Sequence, residues 1–390
     1  MKKLLLLILL LSVICQAPAQ KTDKRLNGLE KELEEVMETF SAPGFAVAVI
    51  EKDKVIFSRG FGYRDYENKT PADANTLFAI GSCSKAFTTS LIGMLEKEDK
   101  LSLNESPSEY IPGFKFSTDE MNTGVTLKDL MSHSTGLPRH DFSWYFFPGE
   151  TKMALLKRVQ HQQPFTGVRN QWYYNNFMFL AQGVIIEQIT GISWEQNVRD
   201  RIFEPLGMKR SNLSIDELEE SENAALGYRL KDSTGIEKMD YYRIAKMSPA
   251  GSINSSVNEM AKWVITWING GNYDNREIIP GNFVKQAISS HMVASPALPG
   301  KDRPGLHLLN YGYGWFISSY KGHYRVEHGG NIDGFSASTC FYPSDSIGIV
   351  VLANQNASAV PGVVRNIISD RMLEEREDNW IAIQKKQIDK

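Results

Sequence analysis

Gly81-Ser82-Cys83-Ser84-Lys85, at the head of an apolar run, is the stretch that decides the fold and the chemistry of this 390-residue chain. A serine hydroxyl is a poor nucleophile at neutral pH and needs a neighbour to take its proton. A residue three positions along a helix lies on the same face. Ala86, Phe87, Leu91, Ile92, Met94 and Leu95 keep helical spacing until Lys97-Glu98-Asp99-Lys100 turns polar, which predicts a helix with Ser82 near its N-terminus. Free backbone N–H groups and the positive dipole end there suit an attacking serine, whose own amide can stabilise an oxyanion, and a lysine held in the next turn. The S-x-x-K spacing alone is weak, because Ser318-Ser319-Tyr320-Lys321 repeats it. There, Trp315-Phe316-Ile317 reads as a strand and Lys321-Gly322 as a turn, so Ser318 and Lys321 would not share a face. Ser318 is therefore structural, and Ser82 with Lys85 form the candidate nucleophile and base.

Outward from that helix, Leu26, Leu29, Leu33, Val36, Met37 and Phe40 make one stripe on a charged segment and predict an opening amphipathic helix. Runs 45–50 and 55–63 flank Glu51-Lys52-Asp53-Lys54 and read as a β-hairpin. From about 101 to 247 the elements are mainly helical, at 127–131, 153–159, 177–189 and 194–203. Strand signals return at 312–318, 324–328, 337–342 and 347–354, followed by a helix at 363–373. The pattern predicts an α/β chain of the α+β type: one antiparallel sheet from both ends of the sequence, flanked by helices, with an inserted mainly helical lobe. The expected domain covers 20–375, with the α/β lobe at 20–100 and 248–375 and the helical lobe at 101–247. The stretch 376–390, charged but carrying Trp380, Ile381 and Ile383, is either a docking helix or a linker.

Lys2-Lys3, an apolar run at 4–14 and Ala17-Pro18-Ala19 predict a signal peptide over 1–19, hence a periplasmic or extracellular protein. Ile14 stands where a lipid-anchored cysteine needs a small residue, so Cys15 is expected to leave with the signal rather than carry an anchor. No later run approaches the roughly 20 apolar residues of a transmembrane helix, so no integral membrane segment is expected after cleavage. The formal charge of −3, without a basic patch, argues against nucleic acid as a partner. Cys83 and Cys340 alone in the mature chain are too few for a disulfide framework. Metal-ligand spacing, a P-loop and G-x-S-x-G are all missing from the sequence, and no cofactor is implied.

Six segments in order resemble the serine β-lactamase and penicillin-binding-protein superfamily, in the branch of class C β-lactamases, D-aminopeptidases and related esterases. They are Gly81-Ser82-Cys83-Ser84-Lys85; the run 126–138 ending Ser132-His133-Ser134-Thr135-Gly136-Leu137-Pro138; Tyr174-Asn175-Asn176; Ile202-Phe203-Glu204-Pro205-Leu206-Gly207-Met208; Pro249-Ala250-Gly251-Ser252; and His328-Gly329-Gly330 with Gly334-Phe335-Ser336 behind it. The resemblance implies a β-lactamase/transpeptidase-like fold and an acyl-enzyme on Ser82. It implies that Tyr174 helps move the serine proton and that Asn176 positions lysine and substrate. Y-x-N also occurs at Tyr66, Tyr173 and Tyr273; Tyr174 is chosen because Phe179, Gly183 and Glu187 then fall into the family register. Which group is the base stays open between Lys85 and Tyr174. A tyrosine could serve only if cations, Lys85 and a protonated His328, stabilised its phenolate.

His328-Gly329-Gly330 resembles the K-T-G motif with the lysine replaced, which the resemblance places on a strand facing the serine. Gly329 and Gly330 would let substrate approach, and the Asn331 N–H would be the second oxyanion donor. Losing the lysine removes a permanent charge that would hold a substrate carboxylate, which argues against an efficient β-lactamase or carboxypeptidase. The implied partner is a small-molecule ester, amide or peptide, cleaved by an esterase, a D-amino acid peptidase or a weak β-lactamase. A penicillin-binding-like sensor with little turnover is the alternative. His133, amid turn-forming residues, reads as structural, Cys83 as a small buried hydrophobe, and Trp144-Tyr145-Phe146-Phe147 as core in preference to a pocket wall.

Overall fold

A computed structural model of the protein describes residues 23–232, 234–295 and 305–388. The expected signal peptide and Cys15 lie outside the described residues. Nine strands form one sheet, antiparallel throughout: β1 (Gly44–Glu51), β2 (Lys54–Asp65), β3 (Thr70–Pro71), β4 (Met292–Ser295), β5 (Leu306–Tyr311), β6 (Phe316–Tyr320), β7 (His323–Ile332), β8 (Phe335–Tyr342) and β9 (Ile347–Ala353). Their spatial order is β4-β5-β6-β7-β8-β9-β1-β2-β3, so the first strand of the chain pairs with the last, Val47 opposite Val351. The two ends of the sequence thus close one sheet around everything between them.

β1 is apolar at nearly every position because the sheet is covered on both sides. Ala46, Ala48 and Ile50 face a core shared with Phe87, Trp263 and Val264. Phe45, Val47 and Val49 face a second core with Leu29, Leu33, Val36, Val363 and Ile367. The second core is capped by α1 (Leu29–Thr39), whose apolar stripe is the predicted one. The first is built by α2 (Lys85–Lys97), α3 (Leu127–Ser132), α4 (Asn176–Thr190), a short α5 (Ser248–Gly251) and α6 (Val257–Ile268). The helical region and the sheet therefore share one hydrophobic core. α7 (Val360–Met372) and α8 (Trp380–Ile388) complete the opposite layer.

Three expectations change. The strand expected at 312–318 begins only at Phe316, because Gly312 to Trp315 turn the chain, with the Gly312 N–H donating to the Trp315 carbonyl and Gly314 at φ 76°. The middle region holds a β-hairpin, Gly227–Lys231 with Gly235–Met239. Its charged residues at 229, 231, 237 and 238 hid the alternation. The helix expected at 194–203 breaks into a π-turn, Arg199–Phe203. The stretch after 375 is a docked helix: Trp380 is buried and its indole N–H donates to Asp370 at 2.7 Å.

Candidate active site

The Ser82 turn is a 3₁₀ segment, Gly81–Ser84, that runs into α2. Gly81 enters it at φ 49°, a left-handed conformation that favours glycine, and a Cβ there would sit 2.9 Å from the Asn331 nitrogen. The Ser84 hydroxyl accepts from the Ile253 N–H and fixes the turn from behind. One turn on, the Lys85 side chain is wholly buried and its Nζ lies 3.0 Å from Ser82 Oγ. Its second partner is the Ala250 carbonyl at 2.7 Å, to which it donates. Burial is the main cause holding the Lys85 pKa well below the usual lysine range; Asp141 opposes and Arg139 adds to the effect. With one N–H directed to Ala250, a neutral amine has its lone pair free to take the serine proton.

Tyr174 precedes α4, where Asn175 caps the helix by accepting from the Phe177 N–H at 2.8 Å. Its phenol is buried, which raises its pKa, and a hydrogen bond with the Ser82 side chain pulls the other way. Lys85 Nζ lies 4.8 Å from its ring centroid and the Arg139 guanidinium carbon also 4.8 Å. Tyr173, the alternative match, turns outward and packs on Phe165. His133 sits in a left-handed conformation at the end of α3, packs against Tyr174 with the rings tilted and 4.3 Å between centroids, and accepts the Asn175 N–H at Nδ1. It is a prop for the tyrosine segment. Asn176 lines the cavity, but among the described residues its amide donates to Asp141 at 2.9 Å, with no hydrogen bond to Lys85.

β7 supplies the remaining predicted residues. His328 is buried, its Nδ1 against the Gly329 carbonyl at 2.6 Å and its Nε2 against the Tyr311 hydroxyl at 3.0 Å. Burial, reinforced by Lys85, drives its pKa down to about 3, so the imidazole is neutral. The expected protonated His328 beside a phenolate is thus corrected, and the ring supports Tyr174 from 6.2 Å between centroids without lining the cavity. Gly330 also differs from expectation: a Cβ there would lie 1.9 Å from the Ile80 carbonyl oxygen, so the missing side chain admits the Ser82 turn and not substrate. Gly329 is exposed and has no comparable contact. Asn331 borders the cavity beside Ser82, and its side-chain oxygen accepts from the Ser336 hydroxyl. Cys83 points away from the cavity, with burial pushing its thiol up to about 12.

Ser82 opens on a cavity of about 280 Å³ walled by Trp144, Tyr145, Tyr242, Ile244, Met247 and Ile332. Trp144 and Tyr145 are therefore wall and not core, while Phe146 and Phe147 are exposed. Asp141 organises one side by accepting from Asn176, from the Trp144 indole N–H at 2.9 Å and from Arg139 Nε at 2.6 Å. Arg139, Asp141, Tyr242 and the Ala250 carbonyl were missed in the sequence. The first two lie just beyond the segment ending in Pro138, and the last lies in Pro249-Ala250-Gly251-Ser252, quoted without a role.

This arrangement, a serine and a buried lysine at the head of a helix against a nine-stranded antiparallel sheet, is built on a β-lactamase-type fold. The family profile described as Beta-lactamase matches residues 29–370, and the chain belongs to that family. It is 28% identical over 377 residues to the unguisins hydrolase ungD of Aspergillus violaceofuscus, covering 91% of this chain and 66% of that protein. It is 27% identical to protein flp of Staphylococcus aureus strain MW2, covering 83% and 62%. The chain thus spans less than two thirds of these relatives' length. Among solved structures, the octameric penicillin-binding protein homologue from Pyrococcus abyssi superposes with a TM-score of 0.82 at 24% identity, covering 93% of this chain and 81% of the other. A D-stereospecific amidohydrolase from Streptomyces gives 0.67 at 17%, covering 84% and 94%. Both likenesses concern the fold.

Proposed function

We propose that the chain is an exported serine hydrolase that cleaves an ester or amide through an acyl-enzyme on Ser82. The observation that carries this reading is the buried amine of Lys85, 3.0 Å from Ser82 Oγ and depressed in pKa by its surroundings. Ser82 Oγ attacks the substrate carbonyl carbon while its proton passes to Lys85 or, through Tyr174, toward it. The oxyanion is held by the N–H groups of Ser82 and Asn331, each such donor contributing about 3 kcal/mol in comparable sites. The leaving group departs with the returned proton, and water then hydrolyses the acyl ester by the same route. The neutral His328 gives no fixed cation for a substrate carboxylate, which favours esters and amides without one over β-lactams. The signal-like residues 1–19 support export.

A fluorophosphonate probe should label the protein, and Ser82→Ala should abolish labelling and turnover of 4-nitrophenyl acetate. Undiminished turnover in that variant rejects the mechanism. A stoichiometric burst of product with no further turnover in the unmodified protein would instead identify a sensor.

A further inference from the structure

The charge balance of the cavity wall carries a statement about substrate. Two carboxylates, Asp141 and Asp333, line it, together with one guanidinium, Arg139. Arg139 is paired with Asp141 at 2.6 Å, whereas among the described residues no cation pairs with Asp333. Asp333 accepts a hydrogen bond from the Tyr145 hydroxyl at 2.6 Å, which aims it but does not neutralise it. Tyr145 stacks on Tyr242 at 4.4 Å, Trp144 stands edge-on to Tyr242 at 6.0 Å, and the Tyr242 hydroxyl donates to the Tyr145 carbonyl. The other polar side chains of the recess include Ser82, Asn176, Asn331 and the Arg139–Asp141 pair, so Asp333 is its one carboxylate without a cationic partner among the described residues, and a carboxylate beside electron-rich rings is a site for a cation. The position sets the distance. Asp333 occupies the β7–β8 turn two residues beyond Asn331, so their Cα atoms are at most about 7 Å apart. A cationic group there lies close to a carbonyl held between Asn331 and Ser82.

We propose that Asp333, with the Trp144, Tyr145 and Tyr242 rings, binds a protonated amine near the scissile bond, so that the substrates are aminoacyl-type esters or amides with a free ammonium. This rests on the hydrolase reading above. Asp333 is then a specificity-determining residue: it takes no proton and forms no bond to the reacting atoms.

The test compares D- and L-alanine 4-nitroanilides with their N-acetylated forms, for the unmodified protein and for D333N, which keeps the size and the acceptor for Tyr145. The readout is the ratio of kcat/KM for free amine over acetylated amine, in which enzyme concentration and folded fraction cancel. The unmodified protein should favour the free amine by roughly tenfold or more, and D333N should reduce the ratio by a similar factor, mainly through KM. The preference should fade as pH rises past about 8, where an α-amino group loses its proton. A ratio near one in the unmodified protein, or one unchanged in D333N, overturns the inference. If 4-nitrophenyl acetate is nonetheless turned over with labelling at Ser82, only the ammonium site has failed. If neither occurs, the hydrolase reading has failed with it.

Discussion

At the scale of single residues, the decisive feature is a lysine without access to water. A buried amine is held toward its neutral form because desolvation penalises the ammonium, and here the Ala250 carbonyl orients it toward Ser82. The neutral form exists above the depressed pKa, so acylation should fall as pH drops through that value and should not require pH near 10. Lys85→Met keeps the length and apolar stem and removes the amine. It should lower kcat/KM by roughly 10²–10⁴-fold and abolish that acid limb. Melting should change little, because an apolar replacement of a buried polar group is nearly neutral when shape is kept. A variant with unaltered kcat/KM between pH 6 and 9 would remove Lys85 from the chemistry.

At the scale of elements, the site exists because a helix-opening turn is pressed against a strand. Gly81 faces the backbone of Asn331 and Gly330 that of Ile80 and Ser82, and neither tolerates a Cβ without displacement. Gly330→Ala should cost roughly 1–3 kcal/mol by overpacking. It should slow acylation by more than that loss of stability accounts for, since the Asn331 and Ser82 amides move apart. Gly329→Ala, whose Cβ would meet only the Ala337 carbonyl at 3.6 Å, should melt within about a degree of the parent. Equal melting curves for the two alanine variants would show that the contact does not restrain the turn. Much of this level was legible. The β1–β2 hairpin, α1, α2 and α4 follow from the order of their apolar residues: α1 buries one stripe, β1 alternates between two cores, and α2 and α4 are apolar runs buried through Leu95 and Ile186. The β4 and β5 strands escaped because Met292–Ser295 is too short, and Leu306–Tyr311 too irregular in its order of apolar and polar residues, to show a period, and the hairpin within 227–239 escaped because its charges at 229, 231, 237 and 238 mask the alternation. At the site, Ser82 and Lys85 were recognisable from spacing and context and Tyr174 from the family resemblance, whereas Arg139, Asp141 and Asp333 converge only in three dimensions. His328 was visible as a residue, but its burial, and so its charge, was not.

At the scale of the whole molecule, the sheet separates two cores with different duties. One side carries the Ser82 turn; the other is closed by α1, α7 and α8, with Asp370 as a hub that accepts from the Tyr320 hydroxyl at 2.7 Å and the Trp380 indole, and pairs with Lys321 at 2.7 Å. Trp380→Ala should cost about 3 kcal/mol and lower the melting temperature by several degrees. The rate of fluorophosphonate labelling at Ser82 should stay within twofold of the parent, because the loss falls behind the sheet. A labelling rate that dropped with stability would mean that the two layers are coupled.

Cys83 and Cys340 sit on opposite sides of that sheet, both enclosed and both held as thiols by desolvation, at pKa values of about 12. Alkylating agents and peroxides attack thiolate, which neither position offers. On the proposed reading, with an alcohol as nucleophile and both of these thiols enclosed, turnover should survive oxidants and electrophiles that silence thiol-dependent hydrolases.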